Sequence, residues 1–238
     1  MATPRLFVDI ELTSGEQLTL PRAPAHHIAT VLRKKTGDAV ILFNGKGGEY
    51  ACQLEQADRK SVIVQVGEFS SNDRTPPLNI HLGMSILKKD PMDAVLGRVV
   101  ELGVREITPI VSDHCAVSTK MIKNRQTHWQ AVIISSCEQC GLNRLPLLHD
   151  PITTESWLKQ AKADRKIVAL PGGGQLSTGS AAKTVSILVG PEGGFSDREV
   201  ELAAAENFEP ATFGERILRA ETAPAVAISV LHRTWGDY

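Results

Sequence analysis

The sequence predicts an α/β protein in two parts: a small closed β-barrel with one helix, then a mainly parallel sheet covered by helices on both faces. Three observations carry this. The first 70 residues are short β-branched runs bounded by Gly, Asn or Asp. From Leu78 onward, strand-like and helix-like segments alternate. Between them, "SSNDRTPP" from Ser70 to Pro77 is polar, proline-terminated and without hydrophobic periodicity. The expected division is residues 1–72, a linker over 73–78, and residues 79–238.

In the first part, "RLFVDIEL", "GEQLTL", "DAVILFNGKGGEYACQLEQ" and "KSVIVQVGEF" read as strands, with "NGKGG" turning the chain before a strand that begins at Glu49. The helix lies in "APAHHIATVLRKKTGD", where Ile28, Val31 and Leu32 share a face and Gly37 ends it. In the second part, "LNIHLGMSIL" is a strand, and "DPMDAVLGRVVELGV" is a helix with Asp90 as N-cap, Pro91 in the first turn and Gly103 as stop. "EITPIVS" is the next strand, followed by a helix around Trp129 and the strands "KIVALPG" and "VSILVG". "SDREVELAAAEN" opens with a capping box, Ser196 and Glu199 three apart. "ATFGERIL" precedes the last helix, "TAPAVAISVLHRTW".

Composition narrows the function. Hydrophobic residues make up 42% and charged residues 22%, as in a soluble globular chain. Nothing approaches about 18 consecutive apolar residues, so no membrane partner is expected. "MATPRLFVDIEL" has no basic segment followed by an apolar block, and the expected location is cytoplasmic. A net charge of −1 gives no global attraction to nucleic acid, so any RNA contact depends on local patches. One such patch is Arg5, His27, Arg33, Lys34 and Lys35, placed to meet an RNA backbone. Of the 4 cysteines, only Cys137 and Cys140 are close together, and a lone CxxC supplies two metal ligands. In "HWQAVIISSCEQCG", Trp129, Val132, Ile133, Ser136, Cys137 and Cys140 recur at helical spacing, which places both thiols on a buried stripe. No metal is expected.

Ligands of open α/β sheets sit beyond the carboxyl ends of the strands. Three such places carry glycines: "ALPGGGQ" after Leu170, "GPEGG" after Val189, and "FGERILRAETA" around Gly214. None has the GxxxxGK[ST] or GxGxxG spacing of a phosphate loop. Glu192 would also repel a pyrophosphate. The loop suits a ligand that is neutral or positive at that point and is approached by backbone where glycines remove side-chain bulk. Adenosine bearing a sulfonium centre fits, as do other small molecules.

"LVGPEGGFSDREVELA" followed by "FGERILRAETAPAVA", with "CEQCGLNRLP" and "ELGVREITPIVS" upstream, resembles the ribosomal RNA small subunit methyltransferase E family of the knotted SPOUT methyltransferases. The resemblance extends to "PRLFV", "HHIATVLR" and "GGEY", which are similar to that family's PUA-like N-terminal barrel. It implies a SPOUT-type parallel sheet with a C-terminal deep trefoil knot. It also implies a homodimer that methylates N3 of a uridine in 16S ribosomal RNA, near the decoding site, using S-adenosylmethionine. By position, the cofactor would lie against Leu170, Pro171, Gly190, Pro191, Glu192, Gly193, Gly194, Phe213, Gly214, Ile217, Leu218, Glu221, Thr222 and Ala223. Arg219 would stabilise the charge that develops on the uracil oxygens, with Glu138, Asn143 and Arg144 shaping the uridine pocket. Alternatives are methylation at another RNA position such as a ribose hydroxyl, a non-catalytic RNA-binding assembly factor, and a zinc or redox protein built on Cys137 and Cys140.

Overall fold

A computed structural model describes residues 3–58, 60–115, 125–177, 179 and 181–238. They form two compact units, one of residues 1–75 with 137–145 and the other of residues 76–136 with 146–238. The return of 137–145 to the N-terminal unit has no mark in the sequence, where "SSCEQCG" reads as the end of an ordinary helix.

The N-terminal unit is a five-stranded sheet of β1 (Arg5–Phe7), β2 (Gln17–Thr19), β3 (Ala39–Phe43), β4 (Glu49–Ala57) and β5 (Val62–Ser70) in the order β1-β3-β4-β5-β2. Alternate residues such as Leu6, Val40, Leu42, Leu54 and Val64 point into one core because side chains change face at every strand residue. Among the described residues no ladder joins β1 to β2, so the path is open where a closed barrel was expected.

The helix also departs from expectation. α1 (Arg22–His26) passes into a π-helical turn, His27–Val31, in which the Leu32 N–H bonds to the His27 carbonyl at 2.9 Å. The wider i→i+5 turn takes residues off the 3.6 period. Ile28 is therefore buried while Val31 and Leu32 face solvent. Arg33, at φ 51°, turns the chain four positions before Gly37 does.

The second unit holds one parallel sheet of seven strands: β6 (Asn79–Ser85), β7 (Glu106–Val111), β8 (Leu147–Leu148), β9 (Ile152–Thr153), β10 (Arg165–Gln175), β11 (Thr184–Val189) and β12 (Glu209–Thr212). The order is β12-β10-β11-β6-β7, with β8 and β9 both on β7. Its helices are α2 (Lys89–Glu101), α3 (Gln126–Cys140), α4 (Thr154–Gln160), α5 (Asp197–Ala205) and α6 (Ala223–Trp235). α3 leaves the unit at its last turn. The capping box forms as expected at the start of α5. α2 instead begins after Lys88 with no side-chain cap, and Asp90 lies in its first turn, where its charge complements the helix dipole. Two-residue strands show no readable period, which is why β8 and β9 escape a sequence reading.

The strand β10 takes in the glycines expected to form a loop. Its register against β12 jumps between Ala169 and Gly174, with Gly172 at φ 77°, so "PGGG" is an irregularity within a strand. Gly173 sits where a β-carbon would lie 3.0 Å from the Ala211 backbone. Among the described residues no helix is long and apolar enough to cross a membrane.

Two histidines of this unit, half-buried His81 and fully buried His232, are held as neutral imidazoles. Burial pushes His81 down to about 4; attraction to Glu106 opposes this and repulsion from His149 adds to it. Burial also lowers His232, against the pull of Asp237 and a hydrogen bond to the Leu102 backbone. The unfolded chain takes up these protons near the ordinary histidine value of about 6.5, whereas the folded chain resists until lower pH. This contribution to stability is therefore present above that value and is lost as pH falls from it towards 4. Thermal unfolding should occur at lower temperature at pH 5 than at pH 7.5, with a shallower dependence in His81→Gln. An identical slope in that variant would contradict the assignment.

Candidate functional site

The interruption in β10 and the carboxyl ends of β11 and β12 surround a cavity of about 820 Å³, within the range of small-molecule sites. Three segments build it. Leu170 and Pro171 come from β10, Gly190 to Phe195 link β11 to α5, and Phe213 to Ala223 link β12 to α6. Of the expected cofactor residues, Leu170, Pro171, Gly190, Pro191, Glu192, Gly194, Phe213, Ile217, Leu218, Glu221 and Ala223 line the cavity. Gly193, Gly214 and Thr222 are not among its lining residues. Gly193 lies against the His114 side chain, Gly214 accepts a hydrogen bond from the Thr212 hydroxyl, and the Thr222 N–H closes a turn onto the Arg219 carbonyl. They shape the loops from behind.

The β11–α5 loop is held from both sides. The Gly194 N–H bonds to the Pro191 carbonyl at 2.9 Å, and Gly194 takes φ 71°, a conformation that costs glycine little. At Gly190 a β-carbon would stand 3.0 Å from the Phe195 ring, so this close approach needs glycine. Behind the loop the Glu199 carboxylate, 2% exposed, accepts from the Ser196 N–H, the Asp113 N–H and the Thr154 hydroxyl. His114 Nδ1 lies 3.2 Å from the carbonyl oxygens of Gly193 and Gly194. The capping box revealed Glu199 in its helical role only. Its ties to Asp113 and Thr154 join residues far apart in sequence and have no local signature.

The β12–α6 loop is held at one point by α2, whose Arg98 donates to the Glu221 carbonyl at 3.2 Å. Pro91, from the first turn of α2, also lines the cavity. Neither belongs to the expected site residues, since Pro91 reaches the cavity, and Arg98 its loop, only through tertiary packing. Phe195 was missed too, although it directly follows "GPEGG". The Arg219 side chain is 86% exposed, and its guanidinium lies 4.0 Å from the Glu221 carboxylate, leaving most of its donors open to a substrate. Arg216 is exposed on the same loop. The lining combines apolar walls, backbone groups, two carboxylates and these two arginines.

The remaining expected site residues lie in the N-terminal unit, and none of them lines the cavity. Asn143 is fully buried; its oxygen accepts from Arg5 at 2.5 Å, and its amide donates to Glu49 at 3.1 Å and to the Asn72 carbonyl at 2.7 Å. Arg5 also pairs with Glu49 and lies over the Phe43 ring. Burial raises the Glu49 carboxyl, but the bonds from Arg5 and Asn143 outweigh it, and the group sits below its ordinary range. Arg144 donates to Asp73 at 2.7 Å. Glu138 accepts the Phe7 N–H at 3.0 Å, and burial pushes its carboxyl up despite that bond and the nearby His27 and Arg5. Asn143 therefore has no free edge for a base. Arg5 belongs to the same network, so it is not part of an open basic surface. What remains of the patch is Arg33 and Lys35, both exposed, with His27 and Lys34 half-buried.

Cys137 is fully buried, and burial, with the neighbouring Cys140 and Glu138, pushes its thiol up to about 12. Without a metal it stays protonated at neutral pH, which makes it a poor nucleophile. Cys140 is half-buried, short of the full burial expected for it.

Comparison with known proteins adds to this geometry. A family described as an RNA methyltransferase domain matches residues 74–232, and one described as an RNA methyltransferase PUA domain matches residues 20–67. A curated relative, ribosomal RNA small subunit methyltransferase E of Buchnera aphidicola, is 33% identical over 98% of this chain and 97% of its own length. The crystal structure of ribosomal RNA small subunit methyltransferase E from Neisseria gonorrhoeae bound to S-adenosyl methionine superposes with a TM-score of 0.92, at 32% identity over 100% of both chains. A Legionella pneumophila structure containing the bound cofactor SAM superposes with a TM-score of 0.95, at 33% identity over 100% of both chains.

Proposed function

Because the chain belongs to the ribosomal RNA small subunit methyltransferase E family, we propose that it methylates N3 of one uridine in 16S ribosomal RNA of the small subunit, near the decoding site. The observation that carries this reading is the cavity at the three strand ends. Its apolar walls suit an adenine ring, its glycine backbone permits close approach, and Glu192 and Glu221 favour a positive centre over a phosphate. S-adenosylmethionine supplies an electrophilic methyl group on a sulfonium. The lining residues of the three segments would hold it largely through backbone, with Gly193, Gly214 and Thr222 supporting the loops from behind.

The chain's own contribution is positioning and electrostatics. N3 of uracil must lose its proton to attack, and the negative charge then spreads to O2 and O4. Arg219 projects from the cavity rim and meets that charge with a ready donor. Arg98 fixes the loop that carries it through the Glu221 carbonyl, and Glu199 fixes the facing loop. Glu138, Asn143 and Arg144 contribute by ordering segment 137–145, Asn143 without contacting the base itself. Arg33 and Lys35, with Lys34 and His27, bind RNA phosphates. The loops of the last strands thread as a trefoil knot, and the protein works as a cytoplasmic homodimer. The convergence of three strand-end segments on one cavity supports the knot. A groove between α2 and α6, lined by Leu102, Val226 and Val230, supports the dimer.

The test is methyl transfer from labelled S-adenosylmethionine to small ribosomal subunits, to free 16S RNA and to tRNA, followed by digestion to nucleosides. N3-methyluridine from small-subunit RNA is expected, and RNA binding should weaken steeply from about 50 to 200 mM salt. A ribose-methylated product, or transfer to tRNA alone, would overturn the assignment. Cofactor binding without transfer to any of the three RNAs would favour an assembly factor.

A further inference from the structure

We propose that His81, Glu106 and His149 form a binding site for a divalent transition-metal ion of the zinc class, separate from the cofactor cavity. The sheet register brings the three together. His81 of β6 is the direct partner of Glu106 at the start of β7, and Glu106 is the partner of Leu147 in β8. Side chains alternate along a strand, so His149, two residues beyond Leu147, returns to the face that carries His81 and Glu106. Residues distant in sequence thus deliver two imidazoles and a carboxylate to one patch on three adjacent strands.

The geometry is close to that of a coordination site. The three donor atoms lie within 4.8 Å of one another, and His149 Nε2 is 2.8 Å from the Glu106 carboxylate. Donors around a tetrahedral zinc at about 2.0–2.1 Å stand roughly 3.3 Å apart, so the three donors have to draw together by no more than about 1.5 Å. The His81 and His149 rings are 5.2 Å apart between centroids. His149 and Glu106 side chains are 35% and 34% exposed, which leaves an ion accessible and gives water room to complete its coordination.

The hydrogen bonding of His81 is an independent sign. Trp157 Nε1 lies 3.3 Å from His81 Nε2, and an indole nitrogen only donates, so His81 Nε2 carries a lone pair. That is the form a metal needs. Thr108 Oγ1, 2.7 Å from the same nitrogen, and the Trp157 N–H engage that lone pair in the metal-free protein, so an ion bound there displaces both. Trp157 meets the His81 ring edge-on, at 5.4 Å between centroids and 78° between planes. Two imidazoles with one carboxylate favour zinc and its neighbours over magnesium or calcium, which prefer oxygen ligands throughout. None of the three residues lines the cofactor cavity. An ion here would tie β8, the short strand on the far side of β7, to β6 and β7.

The test uses the full chain, stripped with chelator and titrated with zinc chloride in calorimetry, with thermal unfolding as a second readout. About one equivalent should bind in the micromolar range or tighter, raising the unfolding temperature by mass action. Glu106→Gln keeps a hydrogen-bonding partner for His149 and should weaken zinc binding by at least about tenfold, as should His149→Gln. Circular dichroism of both variants checks that they fold. Magnesium should leave the unfolding temperature unchanged, and S-adenosylmethionine affinity should be the same with and without zinc. Sub-stoichiometric zinc binding, or equal affinity in folded Glu106→Gln and His149→Gln, would overturn the proposal.

Discussion

Replacing Arg219 with alanine should lower kcat by about a hundred- to a thousandfold, while S-adenosylmethionine affinity stays within about threefold. The reason is where the side chain points. Its guanidinium is 86% exposed and only loosely paired with Glu221 at 4.0 Å, so the folded protein gains little from it. A charge kept at the cavity rim without a close partner is available to a ligand. The competing reading is an ion-pair network that closes the loop, and it predicts a different result: lost cofactor binding and a lower unfolding temperature. Arg219→Lys separates the two, because lysine retains the charge but not the planar fork of donors. It should recover only part of the rate. Near wild-type kcat in Arg219→Ala, measured with saturating cofactor, would remove Arg219 from the mechanism.

Asn143→Ala should destabilise the protein by about 2–4 kcal/mol, with loss of activity following from loss of structure. The amide joins Arg5, Glu49 and the Asn72 carbonyl at a position with no solvent exposure. Alanine leaves the buried Arg5 and Glu49 with fewer partners and leaves one backbone carbonyl without its donor. Asn143→Asp is more informative still, since a second carboxylate beside Glu49 adds repulsion and removes the donor. It should lower the unfolding temperature at neutral pH and recover partly in acid, as carboxylates take up protons. If Asn143→Ala cut the methylation rate while leaving chemical denaturation unchanged, the residue would touch the RNA after all.

These two residues mark how far the sequence could be read. Arg219 stands in "FGERILRAETA", a segment whose glycine, arginines and position after a strand announce a site, and the structure places it on the cavity rim. Asn143, in "CEQCGLNRLP", is named for the uridine pocket by the family resemblance alone, and its side chain is fully buried in hydrogen bonds within its unit. Nothing local distinguishes the two cases, because burial depends on what packs above a residue. The helix near His27 shows the same limit. Ile28, Val31 and Leu32 form an apolar face only if the turn is α-helical, and a single π turn sends two of them into solvent.

The sequence by itself determined the period of most long elements, the parallel character of the second sheet, the capping box of α5 and two of the three glycine-bearing strand ends, after β11 and β12. All of these depend on interactions within a few residues or on a face repeated along one element, so the pattern survives in one dimension. Only the tertiary structure decided that 137–145 belongs with the N-terminal strands, that Pro91 reaches the cavity while Arg98 holds one of its loops, and that His81, Glu106 and His149 share one face. Each of these needs segments tens of residues apart to meet, and the register that brings them together is set by packing of the whole sheet.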